Sequence, residues 1–210
     1  MISSVTEIIQ ANKLLQEAKV NLKEDQIPFD DNIKIGAMIE TPAATLCIDH
    51  ILEHVDFVSI GTNDLVQYTL AVDRINENVA HLYQPFHPSI IRSLKQIFVA
   101  ANKVGKRVSI CGELGGDPMA TMLLLGLGKL ENLSMEPHSI PKVKKIIRLI
   151  RLDEARQMAD HVLNLKTVEE ISRFITEEMR TRFPDDFDRD LSFQEKITHT
   201  CFDASNLINN

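Results

Sequence analysis

At 210 residues the chain is long enough for one sizeable core, and its 44% hydrophobic and 25% charged content is that of an ordinary globular protein. A net charge of −7 argues against a generic nucleic-acid surface, and no apolar run approaches the ~20 residues that span a bilayer. The N-terminus lacks a basic region followed by an apolar stretch, which predicts no signal peptide. Three scattered cysteines (Cys47, Cys111, Cys201) without metal-type spacing predict free thiols in a reducing, cytoplasmic setting.

Residues 4–22 read as a helix: Ser4 and Glu7 have capping-box spacing, and Val5, Ile8, Ile9, Leu15, Ala18 and Leu22 form an apolar stripe. A polar connection leads to a strand at 33–39 that ends at Glu40-Thr41-Pro42, then to a helix over about 43–54 with Pro42 in its first turn. Phe57 to Ile60 form a buried strand closed by Gly61 and the polar triplet Thr62-Asn63-Asp64, and the helical spacing that follows ends near Asp73 and Arg74. After a loop rich in Asn, His and Pro, a helix at 89–104 is closed by Gly105, and a strand at 107–111 runs into Gly112-Glu113. Asp117 and Pro118 open a helix at 118–126, a short strand at 132–135 ends at Glu136, and a helix with a basic face starts near Ile140. Beyond residue 151 strands cease. Two helices (153–164, 167–180) precede a tail from Arg182 to Asn210, read as loosely packed. Helices between strands throughout imply parallel strands joined by right-handed crossovers. With four strands, the chain is either a small open sheet or part of a (β/α)₈ barrel.

In a parallel sheet the four strand ends share one face, and here they carry Glu40, then Asn63 and Asp64, then Cys111 and Glu113, then Ser134 and Glu136. Glu40 and Asp64 on successive strands suit a shared Mg²⁺ or Mn²⁺, with water completing the shell; capping of helix ends is the plainer role for each. Gly61 allows close backbone approach to a ligand, and Asn63 and Arg74 can hold an oxyanion. Cys111 is a nucleophile, an acid/base group or a buried small hydrophobe. His50 and His54, four apart on a helix, read as solvated surface. Residue chemistry thus reaches a metal-dependent site for an anionic small molecule and stops short of the reaction.

The segments Met38-Ile39-Glu40-Thr41-Pro42, Ser59-Ile60-Gly61-Thr62-Asn63-Asp64-Leu65, Gln67-Tyr68-Thr69-Leu70-Ala71-Val72-Asp73-Arg74 and Cys111-Gly112-Glu113-Leu114-Gly115-Gly116-Asp117-Pro118 resemble the barrel domain of the phosphoenolpyruvate-utilising enzymes. The Tyr68–Arg74 run and His81-Leu82-Tyr83-Gln84-Pro85 are most similar to the enzyme I type of the bacterial phosphotransferase system, which serves sugar uptake or, in a paralogue, nitrogen regulation. The resemblance implies a (β/α)₈ TIM barrel, of which this chain covers the end of strand 4 to strand 8 plus C-terminal helices. Residues 1–165 would be the phosphoenolpyruvate-binding half, and 166–210 a C-terminal helix and tail.

It also implies Mg²⁺ on Glu40 and Asp64, and phosphate on Asn63 and Arg74 beside Gly61 and Thr62. Cys111 becomes the acid that protonates the enolate, with Gly112 and Glu113 shaping the loop beside it. The implied partners are phosphoenolpyruvate and pyruvate, a phosphocarrier protein and a second copy of the chain, with neither nucleic acid nor membrane insertion. The family's phosphorylated Thr-Ser-His element and its first barrel strands have no counterpart in these 210 residues. That leaves a non-catalytic dimerisation or ligand-binding module as the alternative, with a dikinase or phosphoenolpyruvate synthase type as a third reading.

Overall fold

A computed structural model describes residues 1–187. Within them, helix α1 (Val5–Glu24) leads to strand β1 (Gly36–Ile39), two short helices α2 (Pro42–Leu46) and α3 (Ile48–Leu52), and β2 (Phe57–Gly61). Helix α4 (Thr62–Leu70), a 3₁₀ turn at Ala80–Leu82, α5 (Pro88–Lys103), β3 (Arg107–Cys111), α6 (Glu113–Gly116), α7 (Pro118–Leu127) and β4 (Asn132–Leu133) follow. The chain then continues through α8 (Ile140–Leu149), α9 (Leu152–Val162), α10 (Val168–Arg182) and α11 (Pro184–Phe187).

The strands form one parallel sheet in the order β1-β2-β3-β4. Each new strand is added on the same side of the last, as in a barrel; a doubly wound sheet reverses its order at a switch point. The period-2 pleat sorts the residues. Ala37, Ile39, Val58, Ile60, Val108 and Ile110 are buried with the helices. The alternate row Met38, Ser59, Ser109 and Asn132 is in register across all four strands and stays partly exposed. Parallel sheets are normally covered on both faces; among the described residues this one is covered on one. The outer edge of β1 is likewise unpaired there. In α1 the capping box forms as the Ser4/Glu7 spacing predicts, yet Ile8 is the one fully buried residue of its stripe, and Ile9 is half exposed.

Several expected elements differ from those observed. The helix expected over 43–54 breaks at Cys47, where Gln96 Nε2 donates to the Thr45 carbonyl at 2.9 Å. The strand expected from residue 33 starts at Gly36. Below it, Asp56 clamps Ile35 with its own N–H (2.6 Å) and its carboxylate (2.9 Å). Strand β4 is two residues long, although Glu131 and Ser134 extend its hydrogen bonds to β3 on either side. Helix α4 stops at Leu70, short of Asp73, because Ala71 takes the left-handed conformation (φ 53°).

The tail from Arg182, read as loose, begins packed. Phe183 and Phe187 are buried, Lys145 reaches Asp186 at 2.6 Å, and Lys142 sits 4.5 Å over the Phe187 ring. Burying one such ring stabilises by about 1.5–3 kcal/mol. The rest of that tail, including Cys201, lies outside the described residues.

Helix α7 is apolar nearly all round and is buried between the sheet side of the core and helices α8, α9 and α10. Its N-cap Asp117 accepts from the Met119 N–H at 2.8 Å. Burial pushes the Asp117 carboxyl above the usual carboxylate range against that hydrogen bond. A carboxyl raised in the folded state contributes its stability below the unfolded value and loses it as pH rises through the folded one. Asp117→Asn, which caps equally well, is therefore expected to match or exceed wild type in thermal unfolding at pH 7, with the gain shrinking as pH falls toward the ordinary carboxylate range. Asp117→Ala should lose about 1 kcal/mol with the cap.

Candidate active site

The four strands point the same way, so Glu40, Asn63, Asp64, Cys111, Glu113, Ser134 and Glu136 stand along one rim. Gly61 pairs with Cys111 in the ladder, which sets the ends of β2 and β3 side by side. Thr62 Oγ1 donates to the Cys111 carbonyl at 2.8 Å. Gly112 follows with φ 94°, and a Cβ there would lie 2.5 Å from Thr62 Oγ1 and 2.8 Å from Asn63 Oδ1. Both the dihedral and the close approach require glycine.

That approach orients Asn63. The Glu113 N–H donates to Asn63 Oδ1 at 2.9 Å, which turns Nδ2 toward the cavity. The left-handed Ala71 ends α4, and Val72 is buried behind it, so the chain doubles back. Gln67 Oε1 accepts from the Arg74 N–H at 3.3 Å, and the Arg74 guanidinium reaches the same rim. Arg74 Nη1 (3.3 Å) and Asn63 Nδ2 (3.5 Å) both donate to Glu113 Oε1. Two donors from different segments converge on one oxygen: an oxyanion position.

Tyr83, from the loop after α4, donates to the Asn63 carbonyl at 3.4 Å. Burial, with the Glu113 charge second, pushes its phenol up to about 12, so it remains a donor throughout the physiological range. Tyr83 carries no spacing signal in the sequence, and its place behind Asn63 is set by the fold.

A cavity of about 580 Å³ opens at this rim. Of the expected residues it is lined by Asn63, Arg74, Gly112 and Glu113. From the segment after β4 it adds Ser134, Glu136 and His138, the last two paired at 3.2 Å. Glu40, Gly61, Thr62, Asp64 and Cys111 are not among its lining residues. Glu40 packs against the end of β2: a Cβ on Gly61 would fall 2.7 Å from its Oε2. Cys111 Sγ is 3.4 Å from the Ile60 carbonyl oxygen, 3.6 Å from Met38 Sδ and 3.8 Å from Ser59 Oγ, partly buried. Cys47 is exposed.

Among the described residues no three His, Cys, Asp or Glu gather into a metal cluster. Glu40 and Asp64, oxygen donors that follow the adjacent paired strands β1 and β2, are the residues that could hold a hard cation. Two carboxylates with remaining positions left to water and a phosphate is the pattern Mg²⁺ uses.

Sheet and rim together define a parallel α/β protein of the barrel type, with its polar site at the carboxyl ends of the strands. A family profile described as the PEP-utilising enzyme, PEP-binding domain, matches residues 1–152, and the chain belongs to that family. It is 46% identical over 177 residues to the phosphoenolpyruvate-protein phosphotransferase of Haemophilus influenzae, covering 84% of this chain and 31% of that protein. The protein of the same name from Buchnera aphidicola (subsp. Acyrthosiphon pisum) is 47% identical over 175 residues, covering 83% and 30%. That from Listeria monocytogenes is 45% identical over 175 residues, with the same coverage. The matched region is thus under a third of the length of these relatives. A citrate lyase structure from Burkholderia xenovorans aligns over 86% of this chain and 61% of its own at TM-score 0.49 and 15% identity, too loosely to bear on fold or function. No described helix is long and apolar enough to cross a membrane.

Proposed function

We propose that this chain forms the C-terminal half of the phosphoenolpyruvate-binding barrel of an enzyme I-type phosphoenolpyruvate-protein phosphotransferase. In the whole protein the phosphoryl group would pass from phosphoenolpyruvate to a histidine outside these 210 residues. From there it would go to a phosphocarrier protein in the cytoplasm, with release of pyruvate. One observation carries the reading: Arg74 Nη1 and Asn63 Nδ2 converge on a single anionic oxygen beside the carboxylate-bearing ends of β1 and β2.

Each residue has a role in this scheme. Arg74 and Asn63 bind the phosphoryl oxygens and stabilise charge as the group leaves. Tyr83 buttresses Asn63 from behind, and Gly61, Thr62 and Gly112 keep the backbone close enough to approach the ligand. Glu40 and Asp64 hold Mg²⁺, or Mn²⁺, which supplies charge neutralisation when bound. Loss of the phosphoryl group leaves the enolate of pyruvate. The Cys111 thiol gives its proton to the methylene carbon as the enolate C–O becomes the ketone, forming the methyl group of pyruvate and a thiolate. Water returns the proton to the thiolate.

The ligand-binding half is assigned to residues 1–165, and self-association is expected through the unpaired edge and uncovered sheet face. Those same two features favour a second reading, a module that binds ligand or a partner without turnover.

Calorimetric titration of phosphoenolpyruvate into this chain, with and without Mg²⁺, tests the proposal. The expected result is metal-dependent binding that Asp64→Ala abolishes. Binding that is unchanged by the substitution would remove Asp64 from the site. A folded chain that takes up no phosphoenolpyruvate would leave only the partner-binding form of the second reading.

A further inference from the structure

We propose that Glu113 is an affinity-setting residue, whose carboxylate occupies the oxyanion position in the empty site and must be displaced by the ligand. The proposal rests on the phosphate-binding reading of Arg74 and Asn63 given above. Glu113 Oε1 accepts from Arg74 Nη1 at 3.3 Å and from Asn63 Nδ2 at 3.5 Å. It thereby takes both side-chain donors that an incoming phosphoryl oxygen would use.

The carboxylate fills the position without building it. Asn63 is oriented by the Glu113 backbone N–H, through Oδ1 at 2.9 Å, and the Tyr83 hydroxyl donates to its carbonyl. The Arg74 backbone is held by Gln67. None of these contacts uses the Glu113 side chain. Both bonds to Oε1 are long for charge-assisted ones, which close to about 2.7–2.9 Å when firmly made. The Glu113 side chain is 76% exposed, so water receives it at little cost once it is displaced. A loosely held group of the right charge, seated on the ligand's donors and free to swing out, behaves as an internal competitor.

An internal competitor weakens apparent affinity by the fraction of molecules in which the position is open. For an exposed Arg–carboxylate contact that factor is about threefold to fivefold. The weakening falls on every anion alike, and the retained carboxylate recloses the position after the phosphoryl group has gone.

The test uses inorganic phosphate as the probe, titrated calorimetrically into the 210-residue chain. Side-chain amide and guanidinium NMR signals of Asn63 and Arg74 are followed in parallel. Glu113→Gln and Glu113→Ala are both expected to bind phosphate about threefold to fivefold more tightly than wild type. Without any ligand, both should move the Asn63 Nδ2 and Arg74 signals, a local effect that removal of a distant charge would not produce. Weaker or equal phosphate binding in both variants overturns the proposal, as do unmoved Asn63 and Arg74 signals or absence of phosphate binding in all three proteins. The two readings fail separately. Tighter phosphate in the variants, with no metal-dependent phosphoenolpyruvate binding in wild type, would keep the Glu113 role and sink the substrate assignment. Phosphoenolpyruvate binding with phosphate indifferent to Glu113 would do the reverse.

Discussion

Cys111→Ala is expected to bind phosphoenolpyruvate and Mg²⁺ as the unaltered protein does, and to form pyruvate about 10²–10⁴-fold more slowly, the usual contribution of a positioned proton donor. The measurement needs a protein that carries the whole barrel and the phosphoryl-accepting histidine. Binding should survive because Sγ touches the Ile60 carbonyl, Met38 and Ser59, none of which orients Asn63 or Arg74. The structural duty of residue 111 is borne by its backbone, whose carbonyl accepts from Thr62 Oγ1, and alanine keeps that bond. A drop in binding that matched the drop in rate would make the thiol a packing group. Pyruvate formed at the original rate would place the proton donor elsewhere on the rim.

Gly126→Ala should have the largest effect on stability. Gly126 is where α7 meets α9. A Cβ there would land on the Ala155 carbonyl and 2.9 Å from the Ala159 Cβ. The carbonyl is helix backbone, and α7 is enclosed on nearly every side, so neither helix can yield cheaply. Overpacking of this kind costs about 3 kcal/mol, which for a chain of this size lowers the unfolding midpoint by about 6–12 °C. Gly105 is the natural comparison. Its φ of 70° also favours glycine, but a Cβ there meets nothing within 4 Å, so Gly105→Ala should cost only about 1 kcal/mol. Equal midpoints for the two variants would mean that α9 yields to the added methyl group.

What could be read from the sequence, and what could not, divides by the range of the interactions involved. Apolar runs ending in polar groups identified β2 with Gly61 to Asp64, and β3 with Cys111 to Glu113, because a strand and its following turn are determined within about ten residues. Four strands alternating with helices then required the polar ends to share a rim. The break at Cys47 was not legible, since it depends on Gln96, 51 residues from Thr45. The same holds for the Glu113 carboxylate, which meets Arg74 across 39 positions, and for Tyr83 beneath Asn63 across 20. Phe183 and Phe187 looked like part of a polar tail because their burial is supplied by the packed helices around them rather than by their neighbours in the chain. The position of Arg74 required knowing that Ala71 would turn left-handed, a conformation alanine rarely adopts and tertiary packing imposes here.

Because every strand runs the same way, the two ends of this protein have separate duties. At the end away from the cavity, Lys106 Nζ satisfies the Leu52 and Val55 carbonyls, and Asp56 fastens Ile35. The turn at Val104 and Gly105 projects freely into solvent there. A dye, bead or fused module attached at that turn would leave the opposite mouth unobstructed, so the molecule can be immobilised by its base with the cavity rim still open to solvent.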